Sequence, residues 1–129
     1  MMPSMADVPK IFESEYRFCM ILWEHEPVPS GELVRLCRER LGWKPTTTYT
    51  VIRRLSERGV LKNENAVVTS LVSREEAQAA ELDELMETKF GGSVPAFLAA
   101  FSRRGRLSDA ELDELQRMID RFREEARDD

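Results

Sequence analysis

The sequence has few of the residues that build metal or redox sites: one histidine and two cysteines among 129 residues. His25 has no companions at zinc-ligand spacing, and Cys19 and Cys37 are far apart without a CxxC motif. A structural zinc ion needs about four such ligands close together, so we predict no metal site and no cofactor. Both cysteines lie among apolar residues, which favours two small buried side chains; a redox pair or metal ligands are the alternative.

Patterns that catalysis or phosphate binding would require are also missing. No Ser/His/Asp or Cys/His arrangement is present that would support nucleophilic catalysis. The only adjacent glycines, in "FGGS", are too short and isolated a stretch for a glycine-rich phosphate loop. We therefore predict that the protein is not an enzyme.

Long hydrophobic runs are absent too. The longest apolar stretch is "VPAFLAAF", residues 94–101, which is far shorter than the roughly 18 residues that span a bilayer. The first ten residues, "MMPSMADVPK", lack the apolar centre of a signal peptide. These features predict a cytoplasmic protein without a membrane partner.

Charge is unevenly distributed along the chain. The formal net charge is −5, of which residues 1–73 contribute +1 and residues 74–129 contribute −6. The acidic total argues against an indiscriminate nucleic-acid binder, but it leaves room for a small basic surface on the first half.

The first half begins with two predicted helices. Residues 1–10 read as a loose leader, and a first helix is predicted over residues 14–24. Two prolines in "HEPVPS" end it. Ser30 is a suitable N-cap for a second helix over residues 31–41, and Gly42 is placed to end that helix.

A third helix with two contrasting faces is predicted from Pro45 to the residue before Gly59. Proline is favoured in a first helical turn, and a rotation of about 100° per residue separates the side chains into two sets. The apolar side holds Thr48, Val51, Ile52 and Leu55; the polar side holds Thr46, Tyr49, Thr50, Arg53 and Glu57, flanked by Thr47 and Arg54. After this helix, residues 60–62 and 67–72 are predicted to form a short hairpin.

The polar side of the third helix suits contact with DNA. Three helices followed by a hairpin is the order of a winged helix-turn-helix, in which the third helix enters the major groove. Hydroxyls near a helix N-terminus can donate to phosphate oxygens, and a guanidinium can bridge the O6 and N7 atoms of guanine. A solvated helix face is the alternative, although such faces more often carry Glu and Lys than Thr, Tyr and Arg.

The second half is predicted to be helical throughout, with apolar faces that need a partner. Three helices are predicted from "SREEAQAAELDELMETKF", "SVPAFLAAFSRR" and "LSDAELDELQRMIDRFREEARDD"; Ser108 and Glu111 form a capping-box pattern at the start of the last one. A second copy of the chain would cover these faces, and packing on the chain's own first half is the alternative. The predicted interface residues are Phe90, Val94, Phe97, Leu98, Phe101, Leu112, Leu115, Ile119 and Phe122.

Three segments, in order, resemble the BlaI/MecI/CopY family of bacterial transcriptional repressors, the penicillinase repressors. They are "ESEYRFCMILW", then "TTTYTVIRRLSERGVL" against the family pattern TT-x-x-T-x-x-x-RL-x-x-KG, and finally "FGGSVPAFLAAF" with "RLSDAELDELQRMID". The resemblance implies a homodimer that places one winged helix on each half of a palindromic operator. Its DNA-reading positions fall on Thr46, Thr47, Tyr49, Thr50 and Arg54, to which the helical wheel adds Arg53.

Three features depart from the family. Members relieved by a membrane sensor-protease are cut at an Asn-Phe bond, where this sequence has Ala100-Phe101. A sensor-protease is therefore a candidate partner, but this sequence lacks the Asn-Phe bond at which such a protease cuts other members. Copper-responsive members end in C-x-C motifs, which this sequence lacks, and the hairpin offers only Lys62 as a basic contact to phosphate.

The sequence therefore predicts a mainly α protein with a small β-hairpin. A winged helix-turn-helix DNA-binding domain over residues 1–73 is followed by a C-terminal helical dimerisation module over residues 74–129. The expected function is a homodimeric transcriptional repressor of double-stranded operator DNA. The alternative is a winged-helix protein-interaction module without DNA binding, which the acidic composition favours.

Overall fold

A computed structural model describes residues 8–128 and contains six helices and three short strands within that range. The elements in chain order are α1 (Glu13–His25), β1 (Val28–Pro29), α2 (Ser30–Leu41), α3 (Pro45–Glu57), β2 (Leu61–Glu64), β3 (Val67–Ser70), α4 (Arg74–Phe90), α5 (Val94–Phe101) and α6 (Asp109–Asp128). The chain divides into two compact units, Met1–Leu85 and Met86–Asp129. The functional division after residue 73 stays a prediction, and most of the predicted leader, residues 1–7, lies outside the described residues.

The first unit is a winged helix: three helices are followed by a two-stranded wing, and a short strand lies between the first two helices. The antiparallel sheet has the order β1-β3-β2, with Val28 opposite Val68 and Leu61 opposite Ser70. The predicted fold class is therefore confirmed. Strand β1 was not predicted, because two residues are too few to produce an alternating pattern.

The start of α2 corrects the sequence prediction. Pro29, not Ser30, occupies the N-cap position, and no side chain caps this end of the helix. Ser30 is the first helical residue, and its N–H donates to the carbonyl oxygen of Ala66 at 2.9 Å. The N–H of the first helical residue is thus satisfied by the wing, whereas the side-chain cap expected from Ser30 is not made. Gly42 ends the helix with a φ of +69°, as its position predicted.

The core of the first unit is formed by one face from each helix and the inner side of the sheet. Its largest fully buried side chains include Phe18, Leu22, Leu33, Leu55 and Leu61. On α3, the four residues predicted to face inward are all buried: Thr48, Val51, Ile52 and Leu55. This packing fixes the rotation of α3 and turns its other side to solvent.

Both cysteines are free and buried, as the sequence predicted. Burial, the largest effect, raises the pKa of the Cys19 thiol to about 12. Such a thiol is protonated at neutral pH and is a poor nucleophile or metal ligand. Across residues 8–128, no His, Cys, Asp and Glu side chains gather into a set able to hold a metal ion.

The second unit contains the end of α4 with α5 and α6. Ser93 caps α5 by accepting a hydrogen bond from the Ala96 N–H at 3.1 Å. The predicted capping box of α6 is confirmed: the Ser108 N–H donates to Glu111 Oε1 at 3.0 Å, and the Glu111 N–H donates to Ser108 Oγ at 3.1 Å. Of the described helices, none is both long and apolar enough to cross a membrane.

Candidate nucleic-acid interface

The N-terminus of α3 is open to an anionic ligand. Lys44 occupies the N-cap position and no side chain caps the helix there. The N–H groups of Thr47 and Thr48 both donate to the Lys44 carbonyl oxygen, at 3.0 and 3.2 Å. Thr46 and Thr47 are exposed beside this end. A helix N-terminus with a lysine and two hydroxyls favours a bound anion such as phosphate, because the helix dipole places partial positive charge there.

The remaining predicted contact residues on α3 lie on its solvent side. Tyr49, Arg53 and Arg54 are exposed, whereas Thr50 is half-buried. Within residues 8–128, neither Arg53 nor Arg54 forms an ion pair or a side-chain hydrogen bond. All six residues predicted on this helix share one element, but their role in DNA contact stays a prediction.

Arg35 and Arg40 on α2 differ because carboxylates neutralise them. Arg35 pairs with Glu32 and with Glu39, and Arg40 Nη1 lies 2.8 Å from Glu24 Oε2. The hydrogen bond from Arg40 lowers the pKa of the Glu24 carboxyl. Among the described residues of α2 and α3, the arginines without a carboxylate partner are therefore Arg53 and Arg54 on α3 and the exposed Arg38 on α2.

The wing carries its one lysine beside an acid. Lys62 lies on β2, and its Nζ atom is 3.8 Å from Glu64 Oε2 on the same strand. Residues two apart on a strand share a face, so the ion pair follows from the sequence spacing, which the sequence analysis overlooked. The pair reduces the attraction of Lys62 for phosphate.

Arg58 forms a contact cluster that sequence analysis did not find. Its Nη1 donates to the carbonyl oxygen of Lys10 at 2.8 Å, and its Nη2 donates to Glu15 on α1. The guanidinium carbon also lies 5.3 Å from the centroid of the Phe12 ring. The partners precede Arg58 by more than forty residues, so no local pattern could have indicated them.

The second unit leaves its apolar residues accessible. No residue from 86 to 128 is buried; each is half-buried or exposed. Leu115 is 39% exposed, Ile119 45% and Phe122 59%. A groove of about 440 Å³ is lined mainly by apolar side chains of α5, of α6 and of the connection between them, among them Phe97, Leu98, Phe101, Leu107, Leu115 and Met118. Of the nine predicted interface residues, Phe90, Phe97 and Phe101 are half-buried, and the Phe97 ring contacts both of the others; the remaining six, Val94, Leu98, Leu112, Leu115, Ile119 and Phe122, are exposed.

Comparison with known proteins assigns the sequence to a family. The sequence model of the family described as penicillinase repressor matches residues 11–121. The penicillinase repressor of Bacillus licheniformis is 20% identical over 120 residues, which cover 90% of this chain and 94% of that protein. An uncharacterized 16.5 kDa protein of Latilactobacillus sakei, from the ptsI 3' region, is 29% identical over 114 residues, covering 85% and 78% of the two chains.

Solved structures are similar as well. One of them is the solution structure of the monomeric form of Bacillus licheniformis BlaI in complex with the blaP half-operator. The match has a TM-score of 0.48 and 23% identity, and it covers 54% of this chain and 89% of the other.

Proposed function

The chain belongs to the penicillinase repressor family of DNA-binding transcriptional repressors, and we propose that it represses transcription as a homodimer bound to a palindromic operator. The observation that carries this proposal is the solvent side of α3. An uncapped helix N-terminus and two arginines without ion-pair partners in the described chain lie on one element. A polyanionic ligand would satisfy both.

The residues of α3 divide into two roles in this proposal. Thr46 and Thr47, at the N-terminus, donate hydroxyl hydrogen bonds to phosphate oxygens, together with the N–H of Thr46. Tyr49, Thr50 and Arg53 lie where a helix in the major groove meets base edges. Arg54 meets a phosphate at the flank, and Lys62 contributes weakly because Glu64 is beside it.

The second copy is proposed from the apolar surface of the second unit. Residues 86–128 bury none of their large apolar side chains within the chain, and exposed apolar surface of this kind is costly in water. Two copies related by a two-fold axis would cover the same surface on each other. They would also bring two α3 helices to two half-sites.

Selection of binding sequences tests the proposal. The full-length protein is mixed with random duplex DNA, and bound sequences are recovered and read. We expect a palindrome whose half-sites lie about one helical turn, or a multiple of it, apart. Affinity should fall steeply with salt, by a slope of about −0.9 in log–log terms for each neutralised phosphate. Equal affinity for a half-site and the full site would contradict dimeric recognition.

A protein-interaction module without DNA binding is the second candidate. The ion pair of Lys62 with Glu64 in the wing favours it, as does a sequence pI of about 5.1. The same selection separates the two functions, because an interaction module would enrich no sequence and would bind no duplex even at low salt.

A further inference from the structure

A cleft beside the C-terminal half of α3 brings two guanidiniums and two carboxylates together. Its lining residues are Phe12, Glu15, Arg54, Glu57 and Arg58. Two cations and two anions could pair in several ways, but the described residues form one ion pair here, between Arg58 and Glu15. Arg54 and Glu57 have no ion-pair partner in that part of the chain.

The Glu15 carboxylate is held in a site that needs a cation. Glu15 is only 7% exposed, and its Oε1 accepts a hydrogen bond from the Phe12 N–H at 3.0 Å. Burial by itself would raise the pKa of Glu15, but the hydrogen bonds from Arg58 and Phe12 and the charges of Arg58 and Arg54 lower it. The group therefore stays ionised near neutral pH, and a nearly buried charge that lost its partner would be strongly destabilising.

Arg58 is fixed on this carboxylate by contacts that Arg54 does not have. The Lys10 carbonyl accepts from Nη1 at 2.8 Å while Glu15 accepts from Nη2, so the two branches of the guanidinium are both used. The Phe12 ring lies 5.3 Å from its central carbon. A rigid fork suits such a double contact, and the arrangement leaves the neighbouring Arg54 to solvent.

We propose that Arg58 is a positioning residue for DNA binding: by occupying the Glu15 carboxylate, it keeps Arg54 available to a DNA phosphate. This rests on the proposed function, in which Arg54 contacts the backbone. Without Arg58, the unpaired Glu15 carboxylate attracts Arg54, which lines the same cleft. DNA would then lose a contact through a residue that never touches it.

The test measures the salt dependence of binding to a duplex carrying one half-site of the selected operator, with the full-length chain. Arg54→Ala is measured first and should reduce the slope by about 0.9, the value for one phosphate. An unchanged slope would remove the DNA role of Arg54 that the proposed function assigns. That result is separate from the outcomes for Arg58.

Arg58→Gln should also reduce the slope by about 0.9, and the double variant Glu15→Gln/Arg58→Gln should restore it. The restoration of the slope is the decisive readout. Glu15→Gln would also relieve the instability caused by an unpaired Glu15 carboxylate, but an unfolded fraction lowers the apparent affinity at every salt concentration and leaves the slope unchanged, because the slope counts only the phosphates that bound protein neutralises. An unchanged slope in Arg58→Gln would overturn the proposal. So would a double variant that stays reduced, because Arg58 itself would then be the phosphate contact.

A matched control removes the other carboxylate of the cleft. Glu57→Gln/Arg58→Gln carries the same charge change as the double variant, but it leaves Glu15 ionised, so its slope should stay reduced. Circular dichroism melts establish which variants are folded. If Arg58→Gln does not fold, Arg58→Met replaces it, because methionine keeps much of the apolar stem over the Phe12 ring. The same reduced slope, and the same restoration by Glu15→Gln, are expected.

Discussion

The indole Nε1–H of Trp23 on α1 donates a hydrogen bond to the carbonyl oxygen of Val72, 2.9 Å away, two residues after β3 ends. Tyr16, about two helical turns earlier on α1, places its ring edge-on against the same indole, with centroids 5.4 Å apart. The contact fixes the base of the wing on the first helix.

Trp23→Phe should lower the free energy of unfolding by about 0.5–1.5 kcal/mol for the lost hydrogen bond, with a further cost for the smaller ring. Urea denaturation followed by circular dichroism measures it. Tyr16→Phe is the matched control, because it keeps the ring contact and removes a hydroxyl only. A Trp23→Phe variant as stable as the unmutated protein would show that the Val72 carbonyl does not depend on the indole.

Ala66→Gly should stabilise the protein. Asn65 and Ala66 form the tip of the wing with φ values of +55° and +61°, and a residue with a Cβ atom pays about 1–2 kcal/mol in this region. Glycine removes that strain at a smaller entropic cost, so we expect a gain below about 1 kcal/mol. Gly42→Ala, at a φ of +69°, is the reverse experiment and should destabilise. A loss of stability in Ala66→Gly would contradict the left-handed turn.

Glu15 should make stability fall in acid. Its pKa is lowered in the folded protein from a usual value of 4.5, so the unfolded state binds the proton more readily. The stabilisation is complete above pH 4.5 and is lost as pH falls through the lower folded-state pKa. Unfolding free energies measured across this range should converge between the unmutated protein and Glu15→Gln.

Glu13→Gln is the control for that acid dependence. It makes the same charge change on the same helix, but Glu13 is 91% exposed and its ion pair with Arg17 is 3.9 Å long. Exposed ion pairs contribute little to stability. The unfolding free energy of this variant should therefore match that of the unmutated protein at every pH. If the unfolding free energies of Glu15→Gln and the unmutated protein changed in parallel with pH, the buried Glu15–Arg58 pair would be ruled out as the cause of the acid dependence.

Thr50→Val should change which operator sequence is preferred. The substitution keeps the shape and removes the hydroxyl, at a cost of about 1–3 kcal/mol at one base pair if a specific hydrogen bond is lost. Thr47→Val is the comparison, since a lost phosphate contact weakens all sequences about equally. Competition among operator variants measures both. An unaltered preference in Thr50→Val would remove this residue from base recognition.

Leu115→Glu should convert the proposed dimer into a monomer. The side chain lies in the apolar groove of the second unit, and a second copy would bury the introduced carboxylate without a partner. Arg117→Glu adds a carboxylate to the same helix outside the row of Leu112, Leu115, Ile119 and Phe122, and it should leave the dimer intact. Light scattering at micromolar concentration distinguishes the states. A monomeric unmutated chain would refute the dimer itself.

The sequence by itself determined the features that depend on local spacing. The two faces of α3 follow from a repeat of about 3.6 residues, and its four inward residues are those expected. The α6 capping box follows from a serine and a glutamate three residues apart. The order of helices and hairpin was also readable, because each element carries its own periodicity and its own stop signals.

Only the tertiary structure decided which distant residues meet. Strand β1 exists because the wing folds back to pair with Val28 and Pro29, and the N-cap of α2 is Pro29 instead of the expected Ser30. Arg58 meets Glu15 across 43 positions of sequence, and this contact leaves Arg54, rather than Arg58, without a carboxylate. Pairing of charges depends on separation in space and on burial, neither of which any spacing along the chain records.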